Sequence, residues 1–149
     1  MSRGNAMGHY YCHEVTEICD GLLVSGIRDV EQMVQMGVDV LVPLAFLYGN
    51  IWDTGFRGEI LYCPVNDYSI LPDDVLEKLV NDITERLDAG KRVGLFCAGG
   101  HGRTGYVAAC VLARRGIQNP ISYLHTHYCR EAVESEEQKE VIKQYMGKQ

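Results

Sequence analysis

Basic charge is scarce in this chain: 14 Lys and Arg stand against 20 Asp and Glu, a formal net charge of −6 over 149 residues. A nucleic-acid-binding surface needs a basic stripe, and there is no surplus of cations to build one. An anionic ligand must therefore be recognised at one place by a few residues. No apolar run reaches the ~20 residues that a membrane-crossing helix requires, so no membrane span is expected. No basic leader followed by an apolar stretch marks the chain for secretion. The six cysteines, at 12, 19, 63, 97, 110 and 129, lack the spacing of a small secreted disulfide framework. Reduced thiols and a cytoplasmic location are the expectation. Paired Cys-x2-Cys and His-x3-His spacings are missing around His9, Cys12, His13 and Cys19, and around His125, His127 and Cys129. Neither a metal nor another cofactor is expected on those grounds. Internal repeats, low-complexity tracts and linkers are also lacking, and the length suits one domain with its own core. Residues 1–7, MSRGNAM, read as an added or disordered leader ahead of a second methionine, leaving 8–149 as a single domain.

Against those absences, apolar runs and helix signals alternate. The run LLVS at 22–25 is followed by a helix predicted from about 29 to 36, with Gly37 to end it. VDVLVPL at 38–44 and ILYCPV at 60–65 read as buried strands. Turn formers Asn66, Asp67 and Ser69 break the second. Pro72 suits a first helical position, Asp73 and Asp74 complement a helix start, and Val75, Leu76, Leu79, Val80, Ile83 and Leu87 recur on one face. Gly90 closes that helix, Arg92 to Phe96 form another strand, and a helix runs from about Arg103 to Arg115, ended by Gly116. Two more helices fill the tail, about 119–128 and 136–146. This order predicts an α/β fold with a mostly parallel central sheet flanked by helices.

Residues 97–105, CAGGHGRTG, join the last strand to its helix. Ligands of open α/β sheets bind beyond the carboxyl ends of strands, where this stretch lies. The run Ala98, Gly99, Gly100, His101 and Gly102 lets successive backbone N–H groups face one concavity, and the helix start adds partial positive charge. Such a nest suits a tetrahedral oxyanion, and phosphate, sulfate or vanadate would fill it. Arg103 supplies a planar fork for two of the oxygens. Cys97 sits at the nest's first position, where N–H dipoles, helix start and Arg103 all favour the nucleophilic thiolate. Thr104 is placed to donate its hydroxyl to that sulfur.

Cys97, five intervening residues, then Arg103, Thr104 and Gly105 resemble the Cys-x5-Arg-Ser/Thr-Gly signature of the cysteine-based protein tyrosine phosphatases. The compact dual-specificity branch is the nearest likeness. Residues 64–116 are similar to that family's core from acid loop to signature helix, with weaker similarity at 20–25 and in CREAVESEEQ, 129–138. The resemblance implies a phosphoprotein phosphatase, phosphotyrosine favoured, that works through a phosphocysteine. It implies an aspartate that first protonates the leaving oxygen and then deprotonates water. Asp67, thirty residues before Cys97 and just after a strand, matches that position. Asp73 and Asp74 already have a role in a helix first turn, and Asp53 precedes the strand. Gln138 matches the glutamine that orients the hydrolytic water. Ser135 to Gln138 is equally a capping box, in which Gln138 bonds back to the helix start. Arg130 matches a structural arginine of the family.

One departure stands out. The family usually has histidine before the nucleophile, and here the residue is Phe96. His101, inside the loop, either compensates with a donor or positive charge, or merely caps the nest. A phospho-binding module with little catalysis is the alternative that Phe96 raises. A phosphoinositide or polyphosphate phosphatase is another, since a protonated His101 would attract a second phosphate, although the loop carries no lysine. Low-molecular-weight tyrosine phosphatases place this loop near the N-terminus, and rhodaneses lack the Arg-Thr-Gly ending. Cys63 is read as a buried thiol or as a partner for Cys97 under oxidation. The segment 48–52, YGNIW, is where pocket depth would be set.

Overall fold

The computed structural model describes residues 14–46 and 54–147. The described residues open with a hairpin in which the expected run at 22–25 is β2 (Leu22–Gly26), paired antiparallel to an unexpected strand, β1 (Thr16–Cys19). The turn is Asp20-Gly21, with Gly21 at φ +87°, a left-handed conformation open to glycine. After a 3₁₀ turn (Ile27–Asp29) come α1 (Val30–Gln35), β3 (Val40–Pro43) and β4 (Glu59–Ile60). Then follow α2 (Asp73–Asp88), β5 (Val93–Cys97), α3 (Gly102–Arg114), α4 (Pro120–His127) and α5 (Glu136–Gly147).

The five strands form one sheet in the order β1-β2-β5-β3-β4, parallel at every pairing except β1 with β2. Every residue of β2, β3 and β5 is buried. That pattern belongs to a parallel sheet covered on both faces, and it explains why these strands read as unbroken apolar runs. One face carries α1, whose Val30 and Met33 pack with Leu23, Val38, Leu41 and Phe96. A Cβ on Gly94 would run into Met33 Sδ, so glycine in the central strand sets how closely α1 approaches. The larger core lies on the other face, where α3 is buried from Gly102 to Ala113.

The strand predicted over 60–65 is shorter than expected. Backbone bonds continue past β4, from Leu61 N to Leu41 O, Cys63 N to Pro43 O and Val65 N to Leu44 O, at 2.9 to 3.1 Å. Pro43 has no N–H to return across the ladder, so the segment runs alongside β3 bonded in one direction only. It still carries the chain to the carboxyl end of the sheet. On α2, Leu76, Leu79, Val80, Ile83 and Leu87 are buried as predicted, whereas Val75 faces outward.

Candidate active site

Cys97 ends β5, the middle strand of the sheet, and is a free thiol with 2% of its surface exposed. Beyond it, the loop turns its carbonyls toward outside donors. Ala98 O accepts from Ile27 N (3.2 Å), Gly100 O from the Tyr128 hydroxyl (2.9 Å), and His101 O from Val133 N (3.2 Å) and Gly105 N (2.9 Å). Gly100 takes φ +80°, which a side chain would resist. With those carbonyls engaged, the opposite ends of the same peptide units, the N–H groups of residues 99, 101 and 102, are turned away from these partners.

Arg103 leaves the first turn of α3 and is almost wholly buried. Its Nη1 donates to Val65 O at 3.0 Å, and its Nε lies 3.7 Å from Asp67 Oδ1. The structure thus brings together the cysteine loop, the arginine and the aspartate picked out by the sequence. Asp67 remains largely exposed, and its Oδ1 accepts from Tyr68 N at 3.1 Å. Among the described residues, Arg103 Nε and Thr104 Oγ1 are buried polar atoms without a hydrogen-bond partner. The hydroxyl-to-sulfur bond expected of Thr104 is therefore not formed. A third such atom, Thr84 Oγ1, lies on α2, but Arg103 and Thr104 are adjacent in the first turn of α3, and two neighbouring donors left open there are available to an oxyanion.

A second layer, of which the sequence showed only Gln138 and its capping box, lies around the acid loop and the start of α5. Tyr106, one turn after Arg103 and fully buried, accepts at its hydroxyl from Leu71 N at 3.1 Å. Burial first pushes that phenol far above its ordinary range. Gln138 is also fully buried. Its Oε1 accepts from Glu134 N (3.1 Å) and Ser135 N (3.3 Å), its own N–H donates to Ser135 Oγ (3.1 Å), and its Nε2 donates to Ser69 O (3.0 Å). The capping box is present, with an added tie to the acid loop. Glu134 Oε2 stands 3.8 Å from His101 Nδ1. Burial, then the charge of Asp67, raise the Glu134 pKa, while Arg103 works the other way. Nothing in the sequence distinguishes Glu134 from the other acids of the tail.

Phe96 packs on the α1 side with Leu23, Val30, Met33, Val38 and Leu41, fully buried. The residue that replaces the usual histidine is thus core, on the face of the sheet opposite Cys97, which belongs to the larger cluster. Cys63 and Cys97 are both free thiols, and burial pushes the Cys63 thiol up. Cys110 is pushed up to about 12 by its burial in α3. The expectation of uniformly reduced thiols fails at Cys129, which is disulfide-bonded. The readings placed on residues 1–7, His9, Cys12, His13, 48–52 and Asp53 lie outside the described residues.

A cysteine at the end of a central parallel strand, a glycine-rich turn and an arginine on the next helix are the arrangement that the resemblance to the cysteine-based phosphatases implies. The family model described as "Swiss Army Knife protein, DSP-PTPase phosphatase domain" matches residues 25–146, and the chain belongs to that family within the cysteine-based tyrosine phosphatase superfamily. Two uncharacterized proteins of Methanocaldococcus jannaschii, MJECL20 and MJ0215, are 41% and 42% identical over 88 and 86 residues. Those matches span 59% and 58% of this chain, and only 60% and 54% of the two relatives' own lengths. Tk-PTP in its active form superposes with a TM-score of 0.78 at 26% identity, covering 91% of this chain and 98% of that one. Human DUSP28 shares the fold, with a TM-score of 0.74 at 18% identity over 90% and 93% of the two chains. So does PTPMT1 in complex with PI(5)P, with 0.69 at 15% over 94% and 96%. Among the described residues, no helix is long and apolar enough to cross a membrane.

Proposed function

We propose that this protein hydrolyses phosphate monoesters of phosphoproteins, phosphotyrosine favoured, through a phosphocysteine intermediate, with residues 8–149 as one catalytic domain. Cys97 sulfur attacks phosphorus, the bond to the leaving oxygen breaks with its electron pair on that oxygen, and Asp67 supplies the proton. Water then attacks the phosphocysteine, Asp67 takes the water's proton, and the S–P pair returns to Cys97 as phosphate departs. Arg103 and the N–H groups of 98–102 hold the phosphoryl oxygens throughout. Thr104 Oγ1 is a further donor at the floor. Gln138 acts by fixing the acid loop and the start of α5.

The observation that carries this reading is Arg103. One buried guanidinium at the cysteine loop bonds Val65 O and stands beside Asp67, so clamp and acid share a reference point. Charge-assisted, preoriented donors of this kind stabilise charge that develops on the transferring group. A lipid or polyphosphate substrate is less favoured, because the only basic candidate for a second phosphate within the loop, His101, already faces Glu134. The test is hydrolysis of an aryl phosphate by wild type, Cys97→Ser and Asp67→Ala. Cys97→Ser should abolish turnover, and Asp67→Ala should lose on the order of 10²-fold or more while still binding vanadate. Equal rates for wild type and Cys97→Ser would refute the reading. A panel of phosphotyrosine peptide, phosphoserine peptide and phosphoinositide at one pH fixes the substrate class.

A further inference from the structure

We infer that Glu134 is a second proton-transfer residue of this site, standing across the cysteine loop from Asp67 and able to protonate the leaving oxygen in its own right. The inference rests on the hydrolytic reading above and deepens it.

The backbone gives the first reason. Among the described residues, two that are not glycine hold a left-handed conformation, Tyr68 at φ +63° and Val133 at φ +68°. Each adjoins a carboxylate of the site: Tyr68 follows Asp67 and Val133 precedes Glu134. For β-branched valine this conformation is an outlier that persists only where the surroundings enforce it, and such outliers gather at functional sites. The enforcement is visible. Val133 N donates to His101 O, and Glu134 N and Ser135 N both donate to the buried Gln138 Oε1.

Where that backbone sends the side chain is the second reason. An acid one residue before Ser135 suits the start of α5, yet the carboxylate turns instead toward the start of α3. Oε2 lies 3.8 Å from His101 Nδ1, and a Cβ built on Gly102 would come within 2.6 Å of Oε1. Glycine at 102 leaves the room that this carboxylate occupies, at the junction from which Arg103 emerges. The charged and titratable groups around it are Asp67 on the acid loop, Arg103 on α3, His101 in the cysteine loop and Glu131 on its own segment.

Environment supplies the third reason. Asp67 is 57% exposed in its side chain and Glu134 is 28% exposed. Burial and the neighbouring Asp67 hold the Glu134 carboxyl above its ordinary range, so it keeps a proton where an ordinary carboxylate has lost one. Two carboxyls of one site in unlike surroundings are how acid and base roles are divided. In the first step, sulfur bonds to phosphorus, the P–O electron pair passes to the leaving oxygen, and Glu134 can give that oxygen its proton. Glu134 is left as carboxylate. In the second step it can accept a proton from the attacking water.

The experiment compares wild type, Asp67→Asn, Glu134→Gln and the double variant on phenyl phosphate and 4-nitrophenyl phosphate across pH, with vanadate binding to confirm an intact site. Glu134→Gln should lower kcat about tenfold on phenyl phosphate, whose leaving oxygen needs a proton, and much less on 4-nitrophenyl phosphate. The double variant should fall clearly below Asp67→Asn, toward the 10²- to 10⁴-fold that acid catalysis contributes. The inference is overturned if Glu134→Gln matches wild type in kcat and pH profile, or loses equally on both substrates. Asp67→Asn already at the level of the double variant would overturn it too. Failure of the hydrolytic reading looks different: Cys97→Ser would turn over normally.

Discussion

Gln138 separates two roles that the sequence allows it, and its truncation decides between them. Gln138→Ala removes three hydrogen bonds: those from Glu134 N and Ser135 N to Oε1, and that from Nε2 to Ser69 O. The Ser135 Oγ bond to the main-chain N–H of residue 138 stays. At about 1 kcal/mol net for each bond, the loss is on the order of 3 kcal/mol. For a chain of this length that lowers Tm by roughly 6 to 12 °C. Gln138→Glu keeps an acceptor for the cap, but it sets a carboxylate oxygen against Ser69 O at a fully buried position, so at neutral pH its loss should be no smaller than that of Gln138→Ala. Urea denaturation reads both values. Rapid-mixing kinetics with 4-nitrophenyl phosphate supply the other half: a residue that positions the hydrolytic water would, when removed, give a burst of one nitrophenol followed by slow breakdown of phosphocysteine. The enclosed amide predicts the reverse, a less stable enzyme with an unchanged balance between the two steps. Gln138→Ala within about 0.5 kcal/mol of wild type, with a trapped phosphoenzyme, would refute the structural role.

Two further predictions concern packing and pH. Gly94→Ala drives a methyl group into Met33, a fully buried residue of α1, and should cost about 1 to 3 kcal/mol; pairing it with Met33→Val should recover part of this, as denaturant midpoints would show. Because Glu134 is held above the ordinary 4.5, the folded state keeps its proton more tightly than the unfolded chain does. Below 4.5 both states are protonated and the contribution is fully present; it is lost as pH rises through the folded value. Glu134→Gln should therefore gain stability over wild type on going from pH 4 to pH 7, and a gain that shrinks over that interval would refute the shift.

What the sequence made legible is what lies close together along it. Cys97 and Arg103 fall within one strand-to-helix turn, and Asp67 follows a strand that the sheet must deliver to the same end. Gly90 and Gly116, at φ +83° and +98°, end their helices as read. The misses have particular causes. β1 hid because Thr16–Cys19 is short and only partly buried, although Asp20-Gly21 is a hairpin signal. β4 is short because the neighbouring Pro43 cannot donate. Tyr128, Val133 and Glu134 meet the cysteine loop, and Tyr106 meets Leu71, through tertiary contacts that no local pattern encodes. Their side chains or strained backbone become meaningful only once α3, α4 and the start of α5 converge behind Gly102.

The way the acid is held bears on how the site works. The segment 65–71 is fixed at three points, by Arg103 Nη1 on Val65 O, Gln138 Nε2 on Ser69 O and Tyr106 on Leu71 N, at 3.0, 3.0 and 3.1 Å. Arg103 and Tyr106 stand three residues apart on α3, so one face of one buried helix carries two anchors of the segment that holds Asp67. Swinging Asp67 away would break bonds made by three buried side chains, and each broken bond leaves a polar group to be resolvated. Asp67 is consequently referenced to the same helix that carries Arg103. Such prior fixing means the ordering entropy is settled when the chain folds and not at each turnover, which is the condition under which positioned groups accelerate a reaction most.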